Sequence, residues 1–205
     1  TAITHRKDPI YLTTIVGKPP QEDFYLGRAT ERIFLPLLRT QLPEIVDMDM
    51  PVEGVFHNCV IVSIDKRYPM QSRRLMSALW GLGQMSFVKT IIAVDSKIDV
   101  HNYDELVKLL LDKVDIKLDL FFSEGVLDVL NHGSDNMLYG SKLGIDLTEK
   151  IEGEPGYGEN KSSASNSSPL PSKEEIKNKF PYLKDCRVLD INAQRSVMYA
   201  ALDKT

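Results

Sequence analysis

Charged side chains gather where an apolar run gives way to helical spacing, in AspLysArgTyrProMetGlnSerArgArg at residues 65–74. Lys66, Arg67, Arg73 and Arg74 stand beside the backbone donors of a starting helix, and such a junction can hold a phosphate or a carboxylate. The same residues read equally well as a solvated basic rim. A second stretch, GlySerLysLeuGlyIleAsp at 140–146, reads as a loop whose glycines let the backbone approach a ligand or another strand. A lone lysine among glycines favours packing. Glu53, in ProValGluGly, invites a general acid, but no second carboxylate stands at a working spacing, and a turn is the simpler role. His5, His57, His101 and His132 are scattered without a ligand-type neighbour at metal spacing, so each reads as a surface or satisfied core histidine. GxSxG, GxGxxG and GxxxxGKS/T do not occur, which argues against the common nucleotide-binding folds.

The elements that must carry these residues follow from periodicity. Residues 8–16 are rich in β-branched and aromatic types and stop at Gly17 and Pro19, a strand and a rigid turn. Gln21, Glu22 and Asp23 open a helix carried by Phe24, Leu26, Ile33, Phe34, Leu37 and Leu38, which Pro36 should kink and Pro43 should end. Val55–Ile64 is nearly continuous in apolar residues, as in a strand buried on both faces, and Tyr68–Phe87 returns to helical spacing. A second buried strand at Val88–Val94, a helix at Asn102–Lys113 and a strand at Leu118–Phe122 complete an alternation that argues for an α/β layer with a largely parallel or mixed sheet. Residues 153–172, rich in Ser, Gly and Pro, read as a linker or mobile loop. Beyond them Ser172 and Glu175 form a capping-box pattern, Arg187–Ile191 a possible strand and Val197–Leu202 a terminal helix.

At 205 residues, with 42% hydrophobic and 26% charged residues, the chain can bury one good core plus an appended piece. Its net charge of -4 leaves no electrostatic footprint for nucleic acid. Cys59 and Cys186 make neither a metal spacing nor a disulfide framework, no apolar stretch reaches a membrane span, and no signal peptide is apparent, so the expected compartment is the cytoplasm. Thr1 runs straight into strand-like sequence and is read as an interior residue of a longer protein, with processing or renumbering as the alternative.

Several blocks occur together in one order: ThrHisArgLysAspProIleTyr at 4–11, ThrThrIleValGlyLysProProGlnGluAsp at 13–23, LeuProGluIleValAsp at 42–47, MetProValGluGly at 50–54, AlaLeuTrpGlyLeuGlyGln at 78–84 and GlySerLysLeuGlyIleAsp at 140–146. In order and approximate spacing they resemble UbiD-type decarboxylases, the 3-octaprenyl-4-hydroxybenzoate carboxy-lyase family, over roughly residues 3–150. The resemblance implies the C-terminal half of such an enzyme: residues 1–20 end a cofactor-binding split β-barrel, 21–44 form a bridging kinked helix, and 45–150 form a three-layer C-terminal α/β domain. Residues 151–172 are then a flexible linker and 173–205 a helical tail that can pack on a partner subunit.

The function implied is non-oxidative decarboxylation of an aromatic or α,β-unsaturated acid, of the 4-hydroxy-3-polyprenylbenzoate kind met in ubiquinone biosynthesis. Prenylated FMN serves as the electron sink, because no side chain can delocalise a carbanion on an sp² carbon. A flavin prenyltransferase is implied as cofactor supplier, a homo-oligomer as the assembly, and a divalent metal and potassium as ions bound by upstream residues. The acid/base residues also lie upstream, so this portion carries none and is expected to be inactive alone. Carry-over onto this chain is limited to Lys66 and Arg73 near the flavin phosphate and to Leu26, Gly27 and Gln71 at the substrate pocket. Asp65 departs from the family pattern, which commonly has a lysine on the phosphate there, and Met70–Gln71 stand where a Gly-His pair is usual. A carboxylate at residue 65 repels a phosphate dianion. The alternative is a non-catalytic assembly module derived from the family; a weaker one is a phosphate- or nucleotide-binding regulator.

Overall fold

The computed structural model describes residues 2–10, 22–55, 58–131, 133–158, 172–180, 183–192 and 195–202. The chain divides into two units, Thr1–Tyr157 and Gly158–Thr205.

The first unit is built on five strands in the order β1-β2-β3-β5-β4: β1 (Ile45–Asp49), β2 (Cys59–Ile64), β3 (Thr90–Asp95), β4 (Leu120–Val126) and β5 (Tyr139–Asp146). The three central strands β2, β3 and β5 are parallel, and β1 and β4 close the two edges antiparallel. Alternation along the central strands sends side chains to two cores. Val60, Val62, Ile64, Ile91 and Ala93 pack with α1 (Glu22–Gln41) through Leu35, with Leu42 just past its end, and with α2 (Gln71–Trp80) through Leu75, Met76 and Leu79. Ile61, Val94 and Leu147 pack on the other face with Leu106 of α3 (Tyr103–Lys113). The result is helix, mixed sheet, helix, the α/β layer that the alternation of elements implies.

α1 continues through Pro36 and ends at Gln41, before Pro43. α3 begins where Asn102 caps it, its side chain accepting from Glu105 N.

Other expectations are corrected. Val55–Ile64 is strand only from Cys59; Val52–Gly54 is a 3₁₀ turn and Val55 follows at φ 49°. β1 was not foreseen as a strand: it is a five-residue edge strand pairing Met48 with Val62, with a register shift between Ile45 and Asp47. The helix expected over Tyr68–Phe87 stops at Trp80; Gly81 ends it and a 3₁₀ turn follows at Gly83–Phe87. Residues 140–146 are the inner strand β5, not a loop. The close approach is a helix, since a Cβ at Gly144 would meet Met76 Sδ of α2 at 2.5 Å. The expected flexible linker begins differently as well, because residues 151–158 form turns that bury Glu154. The expected strand at residues 8–16 is irregular over 8–10, and its remainder lies outside the described residues, as do 159–171.

The second unit holds α4 (Lys173–Lys179) and a two-stranded antiparallel hairpin, β6 (Leu183–Asn192) and β7 (Arg195–Leu202). The capping box is present: Glu175 N donates to Ser172 Oγ at 3.2 Å and Ser172 N to the Glu175 carboxylate at 2.7 Å. The terminal helix expected at Val197–Leu202 is replaced by β7, so the tail at 173–205 is helical only over α4, while the possible strand at Arg187–Ile191 lies within β6. Six apolar residues suit either element, and pairing with β6 decides for strand. No helix among the described residues is long and apolar enough to cross a membrane.

Candidate functional site

The carboxyl ends of β2, β3 and β5 lie together at one end of the sheet, the usual place for ligands in open α/β layers. Here the chain leaves β2 through Asp65, Lys66 and Arg67 and enters α2 at Gln71. Met70, just ahead of the helix, is held at φ 62° and supplies no side-chain cap.

Each charged group at this junction has a protein partner. Lys66 is almost wholly buried, and its Nζ donates to Thr148 Oγ1 at 2.9 Å, to the Glu149 carbonyl at 2.9 Å and to Glu154 Oε2 at 2.5 Å. Glu154 accepts Met70 N on its other oxygen at 2.6 Å. Asp65 and Arg67 pair on the exposed rim at 2.7 Å. Gln71 is buried and accepts Arg67 N at 2.7 Å. Arg73 turns towards β4: its Nη2 donates to the Leu118 carbonyl at 2.6 Å, and its guanidinium lies 5.5 Å from the Phe121 ring centre. Behind them, buried Asp146 accepts Ser72 Oγ at 2.6 Å and Thr148 Oγ1 at 2.6 Å. Lys150 bridges Asp119 at 2.6 Å and Asp146 at 3.5 Å. Burial pulls the Lys150 ammonium down, but Asp119 and Asp146 outweigh it and hold its pKa above the ordinary lysine range.

The sequence-expected residues thus fall into two groups. Lys66, Gln71 and Arg73 share the junction. Leu26 and Gly27 lie on the first turns of α1, Leu26 exposed and Gly27 buried. Because Asp65 N bonds the Glu44 carbonyl, the C-terminal end of α1 is the one at the junction. Gly27 is 14 residues before Gln41, the last residue of α1, roughly 21 Å of helical rise away from that end.

A second polar cluster, not foreseen, occupies the amino end of α1. Asp49 of β1 is fully buried and accepts Tyr103 Oη at 2.7 Å, with Arg28 and His101 Nδ1 on its other oxygen, the histidine at 3.0 Å. Glu31, equally buried, takes Arg28 at 3.1 Å and Met50 N at 2.8 Å, while Arg32 bonds Asp47 at 2.8 Å and the Met48 carbonyl. Burial, then the hydrogen bond to Asp49, pushes the Tyr103 phenol up to about 12. The available signal was Arg28, Glu31 and Arg32 on one helical face with Asp47 and Asp49 alternating along β1.

Within both clusters the charged side chains are engaged with one another or with backbone groups. Burial, and then the Asp49 charge, pushes the Cys59 thiol up to about 11, so no thiolate forms near neutrality. Glu53 is exposed, and no group of three metal-ligating side chains occurs among the described residues. Lys142 on β5 is buried with no acidic partner among the described residues; its Nζ donates to the carbonyls of Ser86 at 2.6 Å and Val88 at 2.8 Å, and burial pushes its pKa down to about 8. A mostly apolar cleft of about 400 Å³ lies between α1 and the 3₁₀ turn, lined by Phe34, Leu37, Met48, Met50, Met85 and Phe87 among others.

Comparison with known proteins supplies the family. A family model described as the 3-octaprenyl-4-hydroxybenzoate carboxy-lyase C-terminal domain matches residues 24–147. An uncharacterized protein of Archaeoglobus fulgidus is 49% identical over 158 residues, 77% of this chain and 33% of the relative. Another of Aquifex aeolicus is 51% identical over 157 residues, 77% of this chain and 32% of the relative. The chain therefore spans about a third of the length of these relatives. Among solved structures, vanillic acid decarboxylase of Sedimentibacter hydroxybenzoicus in its closed form superposes with a TM-score of 0.69 at 24% identity, over 87% of this chain and 37% of that one. The UbiD-class enzyme HmfF of Pelotomaculum thermopropionicum in complex with FMN gives 0.60 at 22%, over 72% and 33%. At such identities the likeness speaks for the fold, and the family rests on the family model that matches residues 24–147. The five-stranded mixed sheet with its flanking helices is accordingly a UbiD C-terminal domain, and the chain belongs to the 3-octaprenyl-4-hydroxybenzoate carboxy-lyase family.

Proposed function

We propose that the chain is the C-terminal part of a UbiD-class decarboxylase, in which it supplies scaffold and subunit contacts while the reacting groups are carried elsewhere in a longer polypeptide. The observation that carries this reading is the family match across the whole sheet, 24–147, combined with a set of described residues in which every strong acid or base at the sheet end is engaged in structure. The substrate is an aromatic or α,β-unsaturated carboxylic acid, 4-hydroxy-3-polyprenylbenzoate-like by the family's description. Decarboxylases of vanillic and 3,4-dihydroxybenzoic acid among the structural neighbours support that class.

The cofactor is prenylated FMN, supplied by a flavin prenyltransferase; HmfF is known with FMN and, in an evolved dimeric form, with prFMN. When bound, such a flavin supplies the electron sink that the amino acids lack. The junction residues of this chain do not fit its phosphate. Lys66 is spent on Glu154, Arg73 turns to the Leu118 carbonyl, and Asp65 adds a negative charge at the rim. The chemistry at the flavin, with its divalent metal and potassium, is therefore assigned to upstream residues. On this reading residues 1–20 close the barrel, 21–44 bridge and 45–150 form the C-terminal domain, in a cytoplasmic homo-oligomer.

The test is to express the native polypeptide containing this chain together with a flavin prenyltransferase, and to measure bound flavin by mass spectrometry and CO2 release from a panel of aryl and α,β-unsaturated acids. Flavin with CO2 release supports the reading; bound flavin with no CO2 from any acid, or a native polypeptide limited to these 205 residues, overturns it. A second reading, an assembly module without chemistry, is favoured by the apolar stripe that α1 leaves exposed at Leu26, Ile33, Phe34 and Leu37. Light scattering tests it, since a strict monomer contradicts an assembly role.

A further inference from the structure

The crevice at the carboxyl ends of β2, β3 and β5 is closed by the chain's own residues 147–154. They first run on from β5 beside the end of β3: Leu147 N bonds the Ala93 carbonyl at 2.8 Å, Glu149 N the Asp95 carboxylate at 2.9 Å, and Lys97 holds Glu149 at 2.6 Å. A tight turn follows, in which Glu154 N bonds the Ile151 carbonyl at 3.1 Å. This turn points the Glu154 carboxylate inward, where its side chain is 1% exposed and that of Lys66 is 3% exposed.

The donors that meet this carboxylate are the kind an anionic ligand uses: the Lys66 ammonium, Met70 N at the amino end of α2 and Ile151 N at 3.1 Å. We infer that Glu154 is a resident anion, occupying the position at the β2–α2 junction that a phosphate or carboxylate group would take, so that this crevice is sealed and the ligands of the longer protein are held away from Lys66. A buried ammonium requires a counter-charge, and here it is built in. An incoming phosphate would have to strip Glu154 of an ammonium and two backbone donors and expel the 147–154 segment with it. A tethered carboxylate competes at an effective concentration in the millimolar range or above. Asp65, paired with Arg67 on the rim, repels the same ligand from outside.

This inference goes beyond the decarboxylase reading and is read by a different measurement, so either can fail without the other. Lys66 is acetylated with acetic anhydride in the native polypeptide that contains this chain and followed by mass spectrometry, with and without FMN or inorganic phosphate. The expected result is slow labelling of Lys66 relative to exposed Lys108, unchanged by either anion. Glu154→Gln should label Lys66 at least about tenfold faster, since removing one partner of a buried ion pair costs more than a decade in the opening equilibrium. It should also make Lys66 protectable by phosphate. Protection of wild-type Lys66 by FMN or phosphate, or labelling as fast as Lys108, would overturn the inference. So would a folded Glu154→Gln chain in which Lys66 stays slow. If that variant does not fold, the wild-type comparison decides alone.

Discussion

Gly144 on β5 and Met76 on α2 are in closer contact than any side chain at residue 144 would allow, a Cβ there falling 2.5 Å from the methionine sulfur. This contact sets the depth at which α2 sits on the sheet, and with it the height of the junction above the strand ends. Gly144→Ala should destabilise the domain by about 1–3 kcal/mol, the usual cost of overpacking a filled core. Urea unfolding measures this, and a neutral substitution would mean that Met76 moves aside freely.

Asp49 holds the amino end of α1 to β1 and α3 through Arg28, Tyr103 and His101. Asp49→Ala leaves Arg28 and His101, each about a third exposed, to solvent and strips Tyr103 Oη of its acceptor, and should cost about 1–3 kcal/mol. Tyr103→Phe removes one hydrogen bond to a charged acceptor and should cost about 1.5–3 kcal/mol. A double-mutant cycle on Asp49 and Tyr103 should show that the losses do not add.

Lys142 gives the domain a distinctive pH dependence. Burial moves its pKa from 10.5 to about 8 in the fold, while the unfolded chain keeps the ordinary value. Between those two values the unfolded state binds more protons, so this residue makes stability rise with pH across the window. Denaturant midpoints from pH 8 to 10.5 should rise more in the wild type than in Lys142→Met, where this contribution is absent. Equal slopes would mean that the carbonyls of Ser86 and Val88 keep the native lysine charged throughout.

Ser172 closes both halves of the α4 capping box. Ser172→Ala should cost about 1 kcal/mol in the second unit, measurable as faster amide exchange over 173–179 with no change over 59–95.

Much of the fold was written locally. The apolar run ending at Ile64 and the Asn102 cap each announce their element within a few residues. β1 did not, because a five-residue edge strand with Asp47 and Asp49 lacks the density of a buried run, and its acidic residues make sense only against Arg28, Arg32 and Tyr103. β5 looked like a loop because Gly144 answers to a helix packed on it, 68 positions earlier in the chain at Met76, and Gly140 to Ser134 and Leu127. The junction cations were visible as a cluster, but their use was not. Lys66 meets Glu154 across 88 residues, and Glu154 stands in a Gly- and Pro-rich stretch with little to bury except that one carboxylate.

The sealed junction and the assignment of flavin chemistry to residues outside this chain are tested together by a crystal structure of the native polypeptide loaded with its flavin. The account predicts Glu154 still bonded to Lys66 Nζ and Met70 N, with the flavin phosphate beyond hydrogen-bond reach of Lys66. A phosphate on Lys66, with residues 147–154 swung out of the crevice, would contradict it.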